Sequence, residues 1–164
     1  MSDASAEGMP ERAEGMPERA EGAGAAAEQR VVSFRVVSVE SILFDLAESA
    51  PEVHLMETEA PFRYLSIPVG LPEAQALYRA VNELSSRRPG THELMGAILS
   101  RLQVDVIAAR IVREQDGVFY AELDLMSPRG REVFDARTSD ALILAARQRV
   151  PAPILCNEEL LRAD

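Results

Sequence analysis

The chain has 164 residues, 47% of them apolar and 27% charged, enough for one domain with a sizeable core. No apolar run approaches the roughly 18 residues of a membrane span, and the lone Cys156 excludes an internal disulfide or a cysteine-built zinc site and fits a reducing cytoplasm. The net charge of −10 weighs against a general nucleic-acid binder, whose affinity would come from neutralising phosphates, but not against an enzyme with a local Arg cluster among acidic ligands.

Residues 1–30 hold seven acids and three Arg in an Ala/Gly-rich stretch, with no basic segment leading into an apolar one, so they do not read as a signal peptide. Glu7-Gly-Met-Pro-Glu-Arg-Ala13 is followed by an identical Glu14-Gly-Met-Pro-Glu-Arg-Ala20. The period is seven, but Gly and Pro in each unit and the lack of an apolar seam exclude a coiled coil. This segment is expected to be a disordered tail, and the globular domain is expected over residues 31–164.

Residues 31–39 are strand-like, and 41–46 either continue that strand or form another. Ser49-Ala-Pro51 breaks the run. Residues 53–58 and 62–69 then read as two strands around a turn at Glu59-Ala-Pro61. Gly70-Leu-Pro-Glu73 opens a helix, with Pro72 in its first turn, Glu73 complementing the dipole, and Ala74, Leu77, Tyr78, Val81 and Leu84 at helical spacing. After Arg87-Arg88-Pro-Gly90, Thr91 is the expected N-cap of a second helix with Leu94, Met95, Ile98, Leu99 and Leu102 as its apolar stripe. Strands are expected at 104–113 and 118–126, joined through the hairpin signal Asp116-Gly117. A turn at Ser127-Pro-Arg-Gly130 leads into a strand over 131–134, and Asp135-Ala-Arg137 turns into a third helix starting near Thr138 or Ser139. Pro151 and Pro153 stop it, Ile154-Leu155 is a short strand, and Asn157 caps a brief terminal helix. The order implies a single α+β domain with a mostly antiparallel or mixed sheet and about three main helices.

Polar groups collect at the three helix starts. Glu73 suits the helix dipole or a catalytic role, and Thr91 and Ser139 are expected caps worth about 1 kcal/mol each. His92 sits in a first turn, where a cation is disfavoured. It serves either as a general base or metal ligand, or as the hydrogen-bond partner of a nearby carboxylate. Asp135 and Arg137 form either a structural ion pair or part of a site. Asp135, Asp140 and Glu73 are the oxygen ligands that a hard cation would need, although no compact metal-binding spacing is present. No dinucleotide, P-loop or serine-hydrolase motif occurs.

Four blocks together carry a family resemblance: Ile67-Pro-Val-Gly-Leu-Pro-Glu-Ala74, Arg88-Pro-Gly-Thr-His-Glu-Leu94, Asp116-Gly-Val-Phe-Tyr-Ala121 and Asp135-Ala-Arg-Thr-Ser-Asp-Ala141. In this order they resemble the bifunctional nuclease domain family, over residues 34–161. The resemblance implies a compact α+β domain that self-associates as a dimer and cleaves both DNA and RNA. His92, Asp135, Arg137, Ser139 and Asp140 match the family pattern. Pro68 stands where the family usually has Trp, Glu93 where it has Asp, and Thr138 where it has Pro.

The leading expectation is a cytoplasmic, metal-assisted phosphodiesterase. Asp135 and Asp140, with Glu73 or Glu93, would hold Mg²⁺ or Mn²⁺, and His92 would activate water or protonate the leaving oxygen. Arg137, with Arg88 and Ser139, would hold the phosphate. The alternative is a non-catalytic oligomeric module that binds a protein partner or small anionic ligand, with the same groups bracing the fold. Convergence of the helix starts on one open cleft favours the first, and closed ion pairs favour the second.

Overall fold

The computed structural model describes residues 32–44 and 50–163, so the expected disordered tail lies outside the described residues. Three strands, β1 (Phe34–Leu43), β2 (Glu52–Glu57) and β3 (Tyr64–Pro68), make an antiparallel meander. Two helices follow, α1 (Leu71–Val81) and α2 (Thr91–Arg101). A second antiparallel meander comprises β4 (Asp105–Gln115), β5 (Val118–Ser127) and β6 (Gly130–Arg137). Helix α3 (Thr138–Ala146), strand β7 (Ile154–Asn157) and a 3-10 turn (Glu158–Leu160) complete the order, an α+β arrangement as the sequence implies.

The seven strands form one sheet in the order β3-β2-β1-β7-β4-β5-β6. Strand β7 joins the two meanders, running antiparallel to β1 (Phe34 opposite Asn157) and parallel to β4 (Ala109 opposite Ile154). The sheet is therefore antiparallel except for this one pair. At the β4–β5 hairpin Asp116 and Gly117 both take positive φ, 54° and 78°, as a tight hairpin turn with the twist of its strands requires.

Helix α3 is the hub. Ala141, Leu142, Ile143, Leu144 and Ala145 are all buried. Leu142 and Ile143 pack with Val53, Leu55, Ile111 and Cys156. Ala141, Leu144 and Ala145 pack with Val106, Ala109, Ala121 and Leu123. Each fully buried aliphatic side chain of this kind contributes about 1.5–3 kcal/mol. Helix α1 buries Ala74, Leu77 and Ala80 and packs on α3 and β1. Helix α2 differs: no residue of it is buried, and its main contact is α3.

Three local expectations need correcting. Strand β6 does not end at Phe134. Asp135, Ala136 and Arg137 stay in the ladder opposite Glu122, Ala121 and Tyr120, because strand pairing holds a segment whose own residues suggest a turn. Thr91 and Ser139 are not caps, since the N-cap positions are Gly90 and Arg137 and neither side chain donates or accepts a cap bond. The apolar stripe of α2 is a core face only in part: Leu94, Met95, Ile98 and Leu102 are exposed, and of the stripe Leu99 is half-buried against the cluster of Val106, Ala109 and Leu123. Asn157 does cap the terminal turn, its side chain accepting from the Glu159 N–H at 3.1 Å.

A buried carboxylate ties the first meander to the C-terminal turn. Glu57, 3% exposed, accepts from Arg35 Nε at 2.8 Å, from Arg63 Nη2 at 2.8 Å and from the Arg63 backbone N–H at 2.8 Å. Arg63 also donates to Glu158 at 2.8 Å. Hydrogen bonding from the Arg63 side chain outweighs the opposing effect of burial and holds the Glu57 carboxyl at about 2. A depressed carboxylate adds stability that is complete above its ordinary value of 4.5 and fades as pH falls through the folded value. Chemical denaturation should therefore show stability dropping between pH 4.5 and 2, with a smaller drop in Glu57→Gln. At neutral pH that variant should be less stable by about 3 kcal/mol, the cost of breaking a buried ion pair.

Candidate active site

The N-termini of the three α-helices converge. Glu73 comes from the first turn of α1, entered through Gly70 and Pro72. A methyl group on Gly70 would lie 2.3 Å from Glu73 Oε2, so glycine leaves room for the carboxylate to fold back over its own helix start. His92 comes from the first turn of α2, and Arg137 and Asp140 from the junction of β6 with α3.

These side chains form one hydrogen-bonded chain. Asp140 Oδ1 lies 2.9 Å from His92 Nε2 and accepts from Arg137 Nη2 at 2.9 Å, while Oδ2 accepts from Arg137 Nε at 2.7 Å. Arg137 Nη1 reaches Glu73 Oε1 at 3.3 Å. Burial raises the Asp140 pKa, but hydrogen bonds from Arg137 and then His92 lower it further, leaving it below the usual Asp value. The same bonds raise the Arg137 pKa. Arg137 is 66% exposed and uses three of its five N–H groups, so two remain for a ligand.

The chain lines a cavity of about 810 Å³ together with Asp135, Thr91, Met95 and Phe134, over a floor that includes Leu123 and Leu144. A second cavity, about 510 Å³, shares Glu73, Asp135 and Arg137 and adds Tyr120, Thr138 and Ser139. Arg137 therefore stands on the wall between the two. The Asp135 side chain is exposed and has neither a hydrogen bond nor an ion pair among the described residues, so it is not the partner of Arg137. The Thr138 hydroxyl donates to the Phe119 carbonyl at 2.8 Å, fixing the start of α3 against β5.

Glu93 and Arg88 are not brought into this group. Glu93 Oε2 accepts from the Gly90 N–H at 2.7 Å and Oε1 pairs with Arg147 at 3.2 Å, so this acid closes its own helix start and ties α2 to the end of α3. The Gly90 bond, opposed by burial and aided by Ser86 and Arg147, holds its pKa low. Arg88 is exposed and lines neither cavity. Among the described residues no three His, Cys, Asp or Glu side chains are grouped to hold a metal ion, so the set Asp135, Asp140 and Glu93 is not assembled. Arg147, Met95 and Phe134 acquire their places only through tertiary packing. The apolar spacing of Met95 and the strand pattern around Phe134 gave no sign of a cavity.

Asp140 and Asp135 separate in their expected effects on stability. Asp140→Asn loses charge-assisted bonds to two elements and should cost about 1–3 kcal/mol in urea unfolding, with faster amide exchange along α2. Asp135→Asn should stay within about 0.5 kcal/mol of the parent.

The family model of the bifunctional nuclease domain matches residues 53–164. Two relatives, each named only as an uncharacterized protein and from two strains of Mycobacterium tuberculosis, are 35% identical over 124 residues. The matched region covers 76% of this chain and 68% of theirs.

Proposed function

Because the chain belongs to the bifunctional nuclease domain family, we propose that the cavity at the three helix starts hydrolyses phosphodiester bonds of DNA and RNA. The observation that carries this reading is the His92–Asp140–Arg137–Glu73 chain on the wall of an 810 Å³ cavity. A neutral His92 that donates from Nε2 to Asp140 keeps the lone pair of Nδ1 for a proton. Nδ1 takes that proton from the attacking water as its oxygen bonds to phosphorus. The leaving oxygen departs with the electron pair of the broken P–O bond and is protonated in turn. The two free N–H groups of Arg137 hold the non-bridging phosphate oxygens, and Glu73 and Asp140 fix the guanidinium plane.

The acids at this site repel a phosphate unless a cation intervenes. Mg²⁺ and Mn²⁺ favour oxygen ligands, and Mg²⁺ is commonly held by one or two carboxylates plus the substrate's own phosphate. The Asp135 side chain, without a partner among the described residues, fits that donor chemistry; Glu73 lines the same cavity but pairs with Arg137. Such an ion would supply charge neutralisation at the phosphate.

Purified protein should cleave single- or double-stranded DNA or RNA with Mg²⁺ or Mn²⁺ and lose activity in EDTA. His92→Ala should lower kcat by about 10²–10⁴-fold while remaining folded. Equal activity in His92→Ala, Asp135→Ala and the parent would trace the cleavage to a contaminant and refute the assignment.

A second reading, a non-catalytic module, is favoured by the mutual pairing of Glu73, Arg137, Asp140 and His92. In that case the folded parent cleaves nothing with either metal. Both readings accommodate a cytoplasmic homodimer. No helix among the described residues is long and apolar enough to cross a membrane. The outward face of α2, with Leu94, Ile98 and Leu102 at 51%, 46% and 62% exposure, supports self-association. Sedimentation should report a dimer, and Ile98→Glu should dissociate it.

A further inference from the structure

The cavity lining is chemically mixed. Beside the titratable chain, Met95 and Leu144 lie one helical turn beyond His92 and Asp140. Phe134 and Met95 are 47% and 45% exposed, whereas Leu123 and Leu144 are each 6% exposed. Phe134 lies on the edge strand β6 directly opposite Leu123, so its ring borders that apolar floor. A polar site with an apolar extension calls for a ligand that has both parts.

We propose that Phe134 and Met95 form a subsite for the nucleobase of a nucleotide adjoining the bond that is cut. This inference rests on the nuclease reading and names which part of the substrate enters the cavity. Size permits it, since small-ligand pockets run to about 300–1,000 Å³. Charge selects it. Glu73, Asp135 and Asp140 outnumber the single cation Arg137, which suits a neutral heterocycle in the interior better than an anion. The phosphate then stays at the rim, where Arg137 is exposed. Aromatic stacking serves any base, because every base has a π-face. A base that reaches Phe134 has left its pair, so the substrate presents an unpaired nucleotide.

The chain contains no tryptophan, so Phe134→Trp introduces a sole indole reporter at the subsite. In buffer with Mg²⁺, adenosine 5′-monophosphate should quench its emission saturably, while ribose 5-phosphate at equal concentration should not. Met95→Trp gives an independent reporter on the same cavity wall should the first variant misfold. In the hydrolysis assay Phe134→Ala should raise KM by about tenfold or more, with a smaller effect on kcat, and Phe134→Tyr should restore it. An equal response to both phosphates, or to neither, in whichever reporter folds overturns the subsite. So does emission that follows protein concentration and not nucleotide, because a second copy then covers the ring. Quenching by the nucleotide without any cleavage by the parent defeats the nuclease reading and leaves the subsite standing. Cleavage without quenching does the reverse.

Discussion

The carboxylate of Asp140 is the interaction on which the geometry of the site depends. It accepts from His92 on α2 and from both ends of the Arg137 guanidinium at the end of β6. Apolar packing contributes less, because α2 has no fully buried residue and Leu99 is only half-buried against the core. Its position is set instead by polar ties from two adjacent residues, His92 to Asp140 and Glu93 to Arg147. Both ties start from the first turn of α2, so they fix that turn, and with it the imidazole, while the rest of the helix is held less firmly.

This division of labour separates stability from chemistry. The buried helix α3 and the sheet carry the hydrophobic stabilisation, while the histidine rides on the least buried helix. Segments with few buried contacts open at lower free energy than the core, so α2 is the element best able to adjust around a ligand. Formation of the site and adjustment of the site are thus assigned to different parts of the fold.

Much of this is legible in the sequence. The order of elements follows from apolar periodicity and from Gly and Pro punctuation, and the Asp116-Gly117 hairpin and the Asn157 cap were read from local chemistry alone. Glu73, His92, Arg137 and Asp140 stood out because each sits where a helix begins. Periodicity tells which residues share a face, however, and not whether anything lies against it. That is why the α2 stripe suggests a full core face where Leu99 packs inward and the rest is exposed, and why the sequence around Phe134 gives no sign of a cavity. Turn propensity likewise misplaced residues 135–137, which the β5 ladder keeps extended. Glu93 and Arg88 were grouped with the site by sequence proximity, whereas side-chain direction takes Glu93 to Arg147 and leaves Arg88 in solvent.

The position of β7 has a consequence for how the molecule is made. The meander of β1, β2 and β3 and that of β4, β5 and β6 each pair locally, yet within the sheet they are joined only through β7, which follows all six in chain order. During synthesis both halves exist before the strand that unites them, and each presents an open edge in the interval. Its pairing with β1, across more than a hundred residues, is a non-local contact of the slow kind. Closure of the domain is therefore a late event, governed by four residues near the C-terminal end of the described chain.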